Sequence, residues 1–360
     1  MPEKIVNLKQ LSECLGLSQT TVSRALNGFP EVSEKTRQRV LAAAAEFNYR
    51  PSPSATSLAT GRTRVIGHVV PLSFHRMINP HFSDFMGGAS EAYARAGYDM
   101  LIRVVREEEE ESVYRDFARR SRVDGVVVHG PLVDEPRIPL LKSIGLPFVV
   151  HGRGGGEALD YSWLDVNSRG AFLRATEFLA DLGHRRIALV NGLETMNFAH
   201  RRRQGYETGL AARGIDLDPA LITSEDMVEP YGYRATLQFL ALPQPPTAIL
   251  FSSVLPAMGA VRALSEMGLR PGSDVSLLTF DDRLSFLQSG AASQSADIPF
   301  LTAMRSSIWQ AGQRVAEMLI HQIESKSEDA VQELWEAELV VGRSTTPCKE
   351  LSRSLAKEVS

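Results

Sequence analysis

The chain has 360 residues, a formal net charge of −4 at pH 7, and 43% apolar and 23% charged residues. This length exceeds one typical domain, and the overall charge gives no sign of a nucleic-acid partner. No stretch has the roughly 18 apolar residues that a membrane helix needs, and the N-terminus lacks a signal-like apolar core, so we expect a cytoplasmic protein without a membrane partner. The two cysteines are far apart in sequence and predict neither a disulfide framework nor a metal site, and no motif predicts a cofactor.

The charge is unevenly distributed along the chain. Residues 1–64 carry nine Lys and Arg against five Asp and Glu, an excess of four positive charges, so the remaining 296 residues must total −8. A basic N-terminal head on an acidic body fits a polyanionic partner for the head alone.

A short first helix is predicted over residues 7–16. Leu8, Leu11 and Leu15 share one face at helical spacing, and Gly16 suits the left-handed exit from a helix. The chain is therefore expected to turn sharply at this glycine.

A second short helix follows over residues 19–27, with Ser18 as its N-cap and Val22 and Leu26 facing inward. Cys14 falls where we expect the two helices to cross, a place that needs a small side chain. Two helices joined by a tight turn form a helix-turn-helix.

A third helix is predicted after the helix-turn-helix. Ser33 is its N-cap, and Val40, Leu41, Ala44 and Phe47 would form its inward stripe. Together the three helices predict an all-α head.

The outward face of the second helix carries groups that can read base edges. In the major groove Gln pairs with adenine and Arg with guanine, while Thr contacts the thymine methyl group or a phosphate. The alternative is a solvated polar face on a small bundle, which the basic excess and the three-helix layout disfavour. The expected DNA-contacting residues of this helix and its cap are Ser18, Gln19, Thr20, Thr21, Ser23, Arg24 and Asn27.

We expect a head over residues 1–50, a hinge over 51–64, a body over 65–347 and a polar tail over 348–360. The hinge is rich in Pro, Ser and Thr, as a linker is. Leu58 is unusual in such a segment. It could enter the minor groove as an apolar wedge, or pack against the head or a partner hinge.

The body alternates buried strands with amphipathic helices, which predicts parallel sheets with helices on both faces. Strands are predicted at 65–70, 98–105, 125–128, 148–150, 187–190, 248–251 and 275–280. Helices are predicted at 81–96, 107–121, 169–182, 202–213 and 256–267. The pattern restarts after Asp165, so we expect two lobes with a cleft between them, the chain crossing near 165 and again near 290–325.

Ligands of such sheets bind at the carboxyl ends of the strands. A carboxylate or an arginine can each hydrogen-bond two adjacent sugar hydroxyls, and an aromatic ring can cover the apolar sugar face. A structural ion pair is the alternative for the charged candidates. The expected cleft residues are Phe82, His151, Arg153, Arg202 and Asp281. His200, Arg201 and Arg203 are interpreted instead as a solvated basic patch.

The chain resembles the lactose-repressor/galactose-repressor (LacI/GalR) family from Leu8 to about Pro347. The specific stretches are LSQTTVSRALN at 17–27, VSEKTR at 32–37 and NYRP at 48–51. The resemblance implies a two-lobed, periplasmic-binding-protein-like body and a homodimer on a pseudo-palindromic operator.

The resemblance also implies roles for single residues. The main base-reading positions are occupied by Gln19, Thr20 and Arg24, with Ser23 and Asn27 beside them. Leu58 occupies the hinge position that enters the minor groove, and Arg202 and Asp281 occupy effector-contacting positions. The chain departs from the family pattern at Val166 and Val254, both near the expected cleft.

The function implied is a repressor of a sugar-uptake operon that a small carbohydrate releases from DNA. Residues 130–153 look most like regulators of α-glucoside operons. Corepression by the sugar would use the same architecture, and the sequence does not decide the sign.

Two other classes of function compete with this one. An enzyme is disfavoured because no dinucleotide, phosphate-loop, hydrolase or metal motif is present, and Gly154–Gly156 lacks a following Lys-Ser/Thr. A sugar-binding protein of the transport type would share the body but would need no DNA-binding head.

Overall fold

The computed structural model describes residues 7–49, 60–72, 80–156, 159–281, 298–325 and 329–348. Leu58, the predicted hinge wedge, lies outside these ranges. Within them the chain forms a three-helix head and an α/β body of two lobes. No helix in these ranges is both long and apolar enough to cross a membrane.

The head contains α1 (Leu8–Leu15), α2 (Gln19–Leu26) and α3 (Glu34–Glu46). Gly16 ends α1 with φ 63°, a left-handed conformation that glycine adopts without strain. Ser18 and Ser33 cap the next two helices, each accepting a hydrogen bond from a backbone N–H three residues on, at 3.1 and 3.3 Å. The predicted helices and caps are confirmed.

The core of the head joins all three helices. Leu11, Val22 and Val40 are fully buried in it, together with Leu15, Ala25, Val32, Ala43 and Ala44. Two predicted core positions are wrong, because Cys14 is exposed and Leu41 is 41% exposed. Each follows or precedes a buried residue, and neighbouring helical residues point about 100° apart.

The body contains twelve described strands and eight described α-helices. The strands are β1 (Val65–Pro71), β2 (Asp99–Val105), β3 (Gly125–His129), β4 (Phe148–His151), β5 (Trp163–Val166), β6 (Ile187–Asn191), β7 (Ile222–Ser224), β8 (Ala248–Phe251), β9 (Ser276–Phe280), β10 (Thr302–Arg305), β11 (Gln332–Trp335) and β12 (Glu338–Val340). The helices are α4 (Pro80–Ala96), α5 (Glu107–Arg119), α6 (Arg137–Ser143), α7 (Ser168–Asp181), α8 (Asn197–Ala212), α9 (Glu229–Leu240), α10 (Val254–Glu266) and α11 (Ile308–Ser325).

The two lobes repeat one strand order. Lobe 1 has the order β11-β5-β4-β3-β1-β2, and lobe 2 has β12-β10-β9-β8-β6-β7. All pairs are parallel except the edge pair of lobe 2, where β12 runs antiparallel to β10. The order reverses direction beside the first strand of each lobe, which places the ligand-binding crevice at the carboxyl ends of the central strands.

The chain crosses between the lobes three times. It passes from β5 to α7, from β10 to α11 and from β11 to β12, and all three crossings lie at the same edge of the two sheets. The sequence predicted the first two regions but not the third. Lobe 1 therefore contains α11 and β11, which come from the C-terminal part of the chain.

Close helix packing holds each lobe together. In lobe 1, α11 approaches α4 so closely that a Cβ at Gly312 would lie 2.1 Å from the carbonyl oxygen of Phe85. In lobe 2, a Cβ at Gly205 of α8 would lie 2.2 Å from the carbonyl oxygen of Arg169 in α7. Only glycine fits at such contacts without moving a backbone.

The predicted strands and helices of the body are present, with bounds that agree to within two residues except at α8. This helix begins at Asn197 rather than at Arg202. Arg202 therefore lies more than one turn inside the helix, where its side chain can point into the body.

Candidate nucleic-acid interface and ligand cleft

The outward face of α2 is open to solvent. Ser18, Gln19, Thr20 and Arg24 are exposed, and no described ion pair holds the Arg24 guanidinium. Thr21 is half-buried and its hydroxyl lies 2.8 Å from that of Ser18. The helix thus presents one amide, one hydroxyl and one guanidinium side by side.

Ser23 and Asn27 are held more firmly than the rest of this face. Both are half-buried, and the Asn27 side-chain amide donates to the carbonyl oxygen of Ser23 at 2.8 Å. They close the C-terminal end of α2, so part of their role is structural.

A cavity of about 210 Å³ lies between the two lobes. Four of the five predicted cleft residues line it: Phe82 and His151 from lobe 1, Arg202 and Asp281 from lobe 2. Arg153 does not line it.

Arg202 is the central cation of the lobe 2 wall. It is 7% exposed, and its guanidinium donates to the carbonyl oxygen of Ser252 at 2.5 Å. The guanidinium carbon lies 4.0 Å from the Phe280 ring centroid and 4.8 Å from that of Phe198. Burial lowers the pKa of Arg202 to about 9, against the opposing effect of the carboxylates of Asp281 and Asp165. The group therefore stays protonated at neutral pH.

The guanidinium of Arg202 has spare hydrogen-bonding capacity. Its Nε is buried and has no hydrogen-bond partner among the described residues. Such a donor is costly unless a ligand or water satisfies it.

Asp281 follows β9 in an unusual backbone conformation. Its φ is 50°, in the left-handed region that non-glycine residues rarely adopt, and its N–H donates to the carbonyl oxygen of Met304 at 2.8 Å. The residue is 3% exposed, and it lines the cavity. Backbone strain at a ligand-facing carboxylate is a common feature of functional sites.

Asp165 is a cavity residue that the sequence analysis did not propose. Its carboxylate lies 2.8 Å from Arg153 Nε and 3.4 Å from the Arg201 guanidinium. Burial raises the pKa of Asp165, and the two arginines oppose that shift. Arg153 acts behind the cavity wall, where it holds Asp165 and covers the Trp163 ring at 5.2 Å.

The predicted basic patch is wrong for Arg201, because this side chain reaches from lobe 2 to Asp165 of lobe 1. Arg203 is also engaged, with Glu194 at 3.3 Å and Glu207 at 2.5 Å. The predicted helix began five residues after the true start of α8, so the sequence did not indicate where these side chains point.

Histidines line the lobe 1 side. His129 ends β3 as His151 ends β4, and both line the cavity. The Phe85 ring stacks on His151 at 4.3 Å, and Phe82 meets His129 edge to face at 5.3 Å. Burial lowers the pKa of His151 to about 4 and that of His129 well below 6.5. Both rings are neutral at physiological pH.

His81 also lines the cavity and was not proposed from the sequence. Burial lowers its pKa to about 4, with further lowering by the Arg202 charge and an opposing effect of Asp84. The strand-end rule could have found His129, which directly follows the predicted strand 125–128 as His151 follows the strand 148–150. No comparable signal marked His81, which lies in the first turn of α4.

Hydrogen bonds join the two lobes beside the cavity. Val133 N–H donates to the Thr195 carbonyl oxygen and Asn197 N–H donates to that of Pro131, both at 3.0 Å. The Asn197 side-chain amide donates to the Arg153 carbonyl oxygen at 2.5 Å. We call these contacts the interlobe latch.

The chain matches two family models. Residues 8–52 match the model described as bacterial regulatory proteins, lacI family, and residues 176–345 match that of a periplasmic binding protein-like domain. The HTH-type transcriptional regulator AglR of Rhizobium meliloti (strain 1021) is 45% identical over 347 residues, which cover 96% of each chain.

This chain belongs to the lacI family of bacterial regulatory proteins. It is a transcriptional regulator, and the alternative of a transport-type binding protein is wrong because the chain carries the family's DNA-binding head. The resemblance found in the sequence is confirmed over nearly the whole chain.

Two solved structures extend the comparison. The Lac repressor dimer bound to operator and the anti-inducer ONPF is 27% identical with a TM-score of 0.76, covering 95% of this chain and 100% of that one. A complex of transcriptional regulator CelR with cellobiose is 26% identical with a TM-score of 0.69, covering 94% and 100%. The head and two-lobed body predicted from the sequence are thus confirmed as a fold.

Proposed function

We propose that this regulator binds a pseudo-palindromic operator as a homodimer and leaves it when a small carbohydrate occupies the cleft. The observation that carries the proposal is a buried cation with spare hydrogen-bonding capacity, Arg202, which lies over the Phe280 ring and lines the interlobe cavity together with Asp281. The cleft has a binding role in this proposal and no reaction is assigned to it.

DNA recognition is assigned to the exposed face of α2. Gln19, Thr20 and Arg24 would contact bases, while Ser18, Thr21, Ser23 and Asn27 would position the helix or contact phosphates. Leu58 would enter the minor groove between two paired hinges. The open Arg24 guanidinium and the position of α2 on the head surface support this assignment, as does the operator complex of the Lac repressor.

The cleft would bind a neutral sugar. Arg202 and Asp281 supply charged hydrogen-bonding groups, His151 supplies a neutral one, and Phe82 offers an apolar ring to a sugar face. Arg153 would act through Asp165. The CelR complex, which holds cellobiose, supports a sugar ligand. We assign the α-glucoside class on the likeness of residues 130–153 to regulators of such operons.

A second copy of this chain would pair along the outer edge of lobe 1. β2 is the edge strand of that sheet, and its Ile102 and Val104 are 46% and 44% exposed. An unpaired edge strand with exposed apolar side chains is a ready interface for another chain. Dimerisation would place two heads on two half-sites, and the Lac repressor dimer bound to operator supports a dimeric DNA-binding form.

Sugar binding would favour the closed cleft and so change the relation between the two hinges in the dimer. Because a ligand shifts an equilibrium only by its differential affinity, DNA release requires tighter sugar binding to the state that does not fit the operator. We expect repression relieved by sugar in the bacterial cytoplasm, where the operator is.

The test uses the full-length protein and duplexes from its own upstream region. Wild type should bind one fragment far more tightly than scrambled duplex, and an α-glucoside such as maltose, trehalose or sucrose should weaken that binding. Arg24→Ala should remove the preference for the fragment but leave the sugar-induced rise in Tm intact. Asp281→Ala should keep the preference for the fragment but lose the sugar-induced rise in Tm.

Equal binding of wild type to the fragment and to scrambled duplex, with or without sugar, would contradict the proposed DNA role. An Asp281→Ala protein that responds normally to sugar would contradict the proposed cleft.

A further inference from the structure

A hydrogen-bonded chain of side chains runs through the interior of lobe 1 to the cleft. The Tyr93 hydroxyl lies 3.2 Å from His68 Nε2, and His68 Nδ1 lies 2.9 Å from His129 Nε2. Tyr93 and His68 are almost completely buried, at 1% and 0% exposure, and His129 lines the cavity. Neither Tyr93 nor His68 lines the cavity.

All three side chains are neutral at physiological pH. Burial lowers the pKa of His68 to about 3 and that of His129 well below 6.5, and it raises the pKa of the Tyr93 hydroxyl. The positive charge of Arg137, which donates to the His129 carbonyl oxygen at 3.1 Å, further disfavours an imidazolium at His129. Each imidazole therefore carries one proton and offers one donor and one acceptor.

The proton order in the chain follows from counting donors. Tyr93 has one hydroxyl proton, and His68 Nε2 is its hydrogen-bond partner in the described part of the chain. If Tyr93 donates, His68 must carry its proton on Nδ1 and donate to His129 Nε2. His129 must then carry its own proton on Nδ1.

The reverse order leaves a buried donor unsatisfied. If His129 donated to His68 and His68 donated to Tyr93, the Tyr93 proton would have no acceptor among the described residues. The cost of an unsatisfied buried donor is enough to favour the first order about fivefold or more.

The Nδ1–H of His129 is left for a ligand. This nitrogen makes no hydrogen bond to any residue that the structure describes, and the ring is fixed between Phe82 and Phe85, at centroid distances of 5.3 and 5.0 Å. A ring held in this way has a set direction as well as a set proton.

We propose that the Tyr93–His68–His129 chain makes His129 a fixed hydrogen-bond donor to the effector, so that the cleft selects ligands with an acceptor oxygen at that point. This inference rests on the proposed role of the cleft. His129 is the ligand-contacting residue, and Tyr93 and His68 are positioning residues. A hydroxyl or a ring oxygen meets the requirement, whereas the ammonium group of an amino sugar does not.

Ring nitrogen NMR on the full-length protein tests the proton order without any ligand. With histidine rings labelled by ¹⁵N at pH 7, His129 and His68 should both show the Nδ1–H tautomer, assigned through single His substitutions. An Nε2–H tautomer or a protonated ring at His129 would overturn the proposal.

The positioning role of Tyr93 has a matched control in the other lobe. Tyr93→Phe removes the donor that starts the chain, so His129 should become a mixture of both tautomers. Tyr231→Phe removes an equally buried hydroxyl from lobe 2, which bonds the Asn191 carbonyl oxygen, and should leave the His129 spectrum unchanged. An unchanged His129 spectrum in Tyr93→Phe would reject the positioning role.

Two substitutions distinguish the roles of the two ring nitrogens of His129. An Asn amide reaches the δ position of the ring, to which no described residue bonds, whereas a Gln amide reaches the ε position, which bonds His68. With maltose, trehalose, sucrose and glucose as calorimetric probes, His129→Gln should weaken binding about tenfold and His129→Asn less than threefold.

Equal losses in the two variants would overturn the recognition part of the proposal. If wild type bound none of the four sugars, the proposed effector class would fail and recognition through His129 with it. The NMR result would still decide whether the proton order itself is right, so the two failures are distinguishable.

Discussion

The two lobes share a strand order but differ in the chemistry at their strand ends. In lobe 1, β3 and β4 end in the neutral imidazoles of His129 and His151. In lobe 2, β9 is followed by the carboxylate of Asp281, which faces the guanidinium of Arg202. The topology sets where side chains meet, whereas the residue types decide whether a wall is neutral or charged.

Burial leaves the histidines of lobe 1 neutral but does not remove the charge of Arg202 in lobe 2, because the neighbouring side chains differ. The chain His68–His129 in lobe 1 has a tyrosine at one end and an arginine nearby, so protonation has no compensation. Arg202 in lobe 2 keeps its charge because carboxylates oppose the cost of burial. Four perturbations would break or sharpen this contrast.

Acidification should have the largest effect, because it lowers the free energy of unfolding through the buried histidines of lobe 1. The folded-state pKa values of His68 and His129 lie below the unfolded value of about 6.5, so below pH 6.5 the unfolded chain takes up protons that the folded chain refuses. Stability is therefore complete above pH 6.5 and falls at about 1.4 kcal/mol per pH unit for each histidine. Urea unfolding at pH 7, 6 and 5 measures the slope.

His68→Leu is the matched variant for the acid effect. It removes one of the buried histidines with a lowered pKa, which also include His129, His81 and His151, so its stability should fall less steeply between pH 6.5 and 5 than that of wild type. Parallel slopes would show that the buried histidine contributes nothing to the pH dependence.

Removal of the lobe 2 charge should weaken sugar binding by about 10- to 100-fold, because a hydrogen bond to a charged group is worth about 1.5–3 kcal/mol. Arg202→Met keeps an apolar side chain and removes the guanidinium that lies over the Phe280 ring. Calorimetry with a sugar that wild type binds gives the ratio. Arg262→Met, on the exposed surface of the same lobe, should bind as wild type does.

A methyl group between the packed helices should destabilise either lobe by about 1–3 kcal/mol. Gly312→Ala would push against the Phe85 carbonyl in lobe 1, and Gly205→Ala against that of Arg169 in lobe 2. Calorimetric unfolding would show whether each substitution lowers the Tm of one lobe alone or that of the whole body. Gly156→Ala, whose Cβ would meet nothing within 4 Å, is the control.

Loss of the latch amide should have the smallest effect. Asn197→Ala removes one hydrogen bond between the lobes, worth about 1 kcal/mol, and should weaken sugar binding up to about fivefold by favouring the open cleft. Gln204→Ala, an exposed position on the same helix, should change nothing. Unaltered affinity in Asn197→Ala would mean that the latch does not bias closure.

The sequence was sufficient for elements with a strong local pattern. Continuous apolar runs such as Gly125-Val126-Val127-Val128 predicted buried strands, and Ser18 and Ser33 predicted helix starts that the structure has. By contrast, α8 begins without a side-chain cap, so its first turn had no signal and the direction of Arg201 was lost.

The parts of the site that the sequence did not predict depend on contacts between distant residues. Asp165 lies on β5, a four-residue strand whose Trp-Leu-Asp-Val sequence has no clear alternation. His68 and His129 look like ordinary members of apolar strands, and their hydrogen bond joins residues 61 positions apart. Cys14 was misplaced by one helical position, which is enough to turn a side chain from the core to solvent.

The three crossings have a genetic consequence. A stop codon shortly before residue 302 would remove β10 and β12 from one lobe and α11 and β11 from the other. The three-helix head, whose core uses nearby residues alone, would lose none of its contacts. Late nonsense alleles should therefore abolish sensing as completely as early ones, and neither lobe can be expressed as one uninterrupted fragment of the gene.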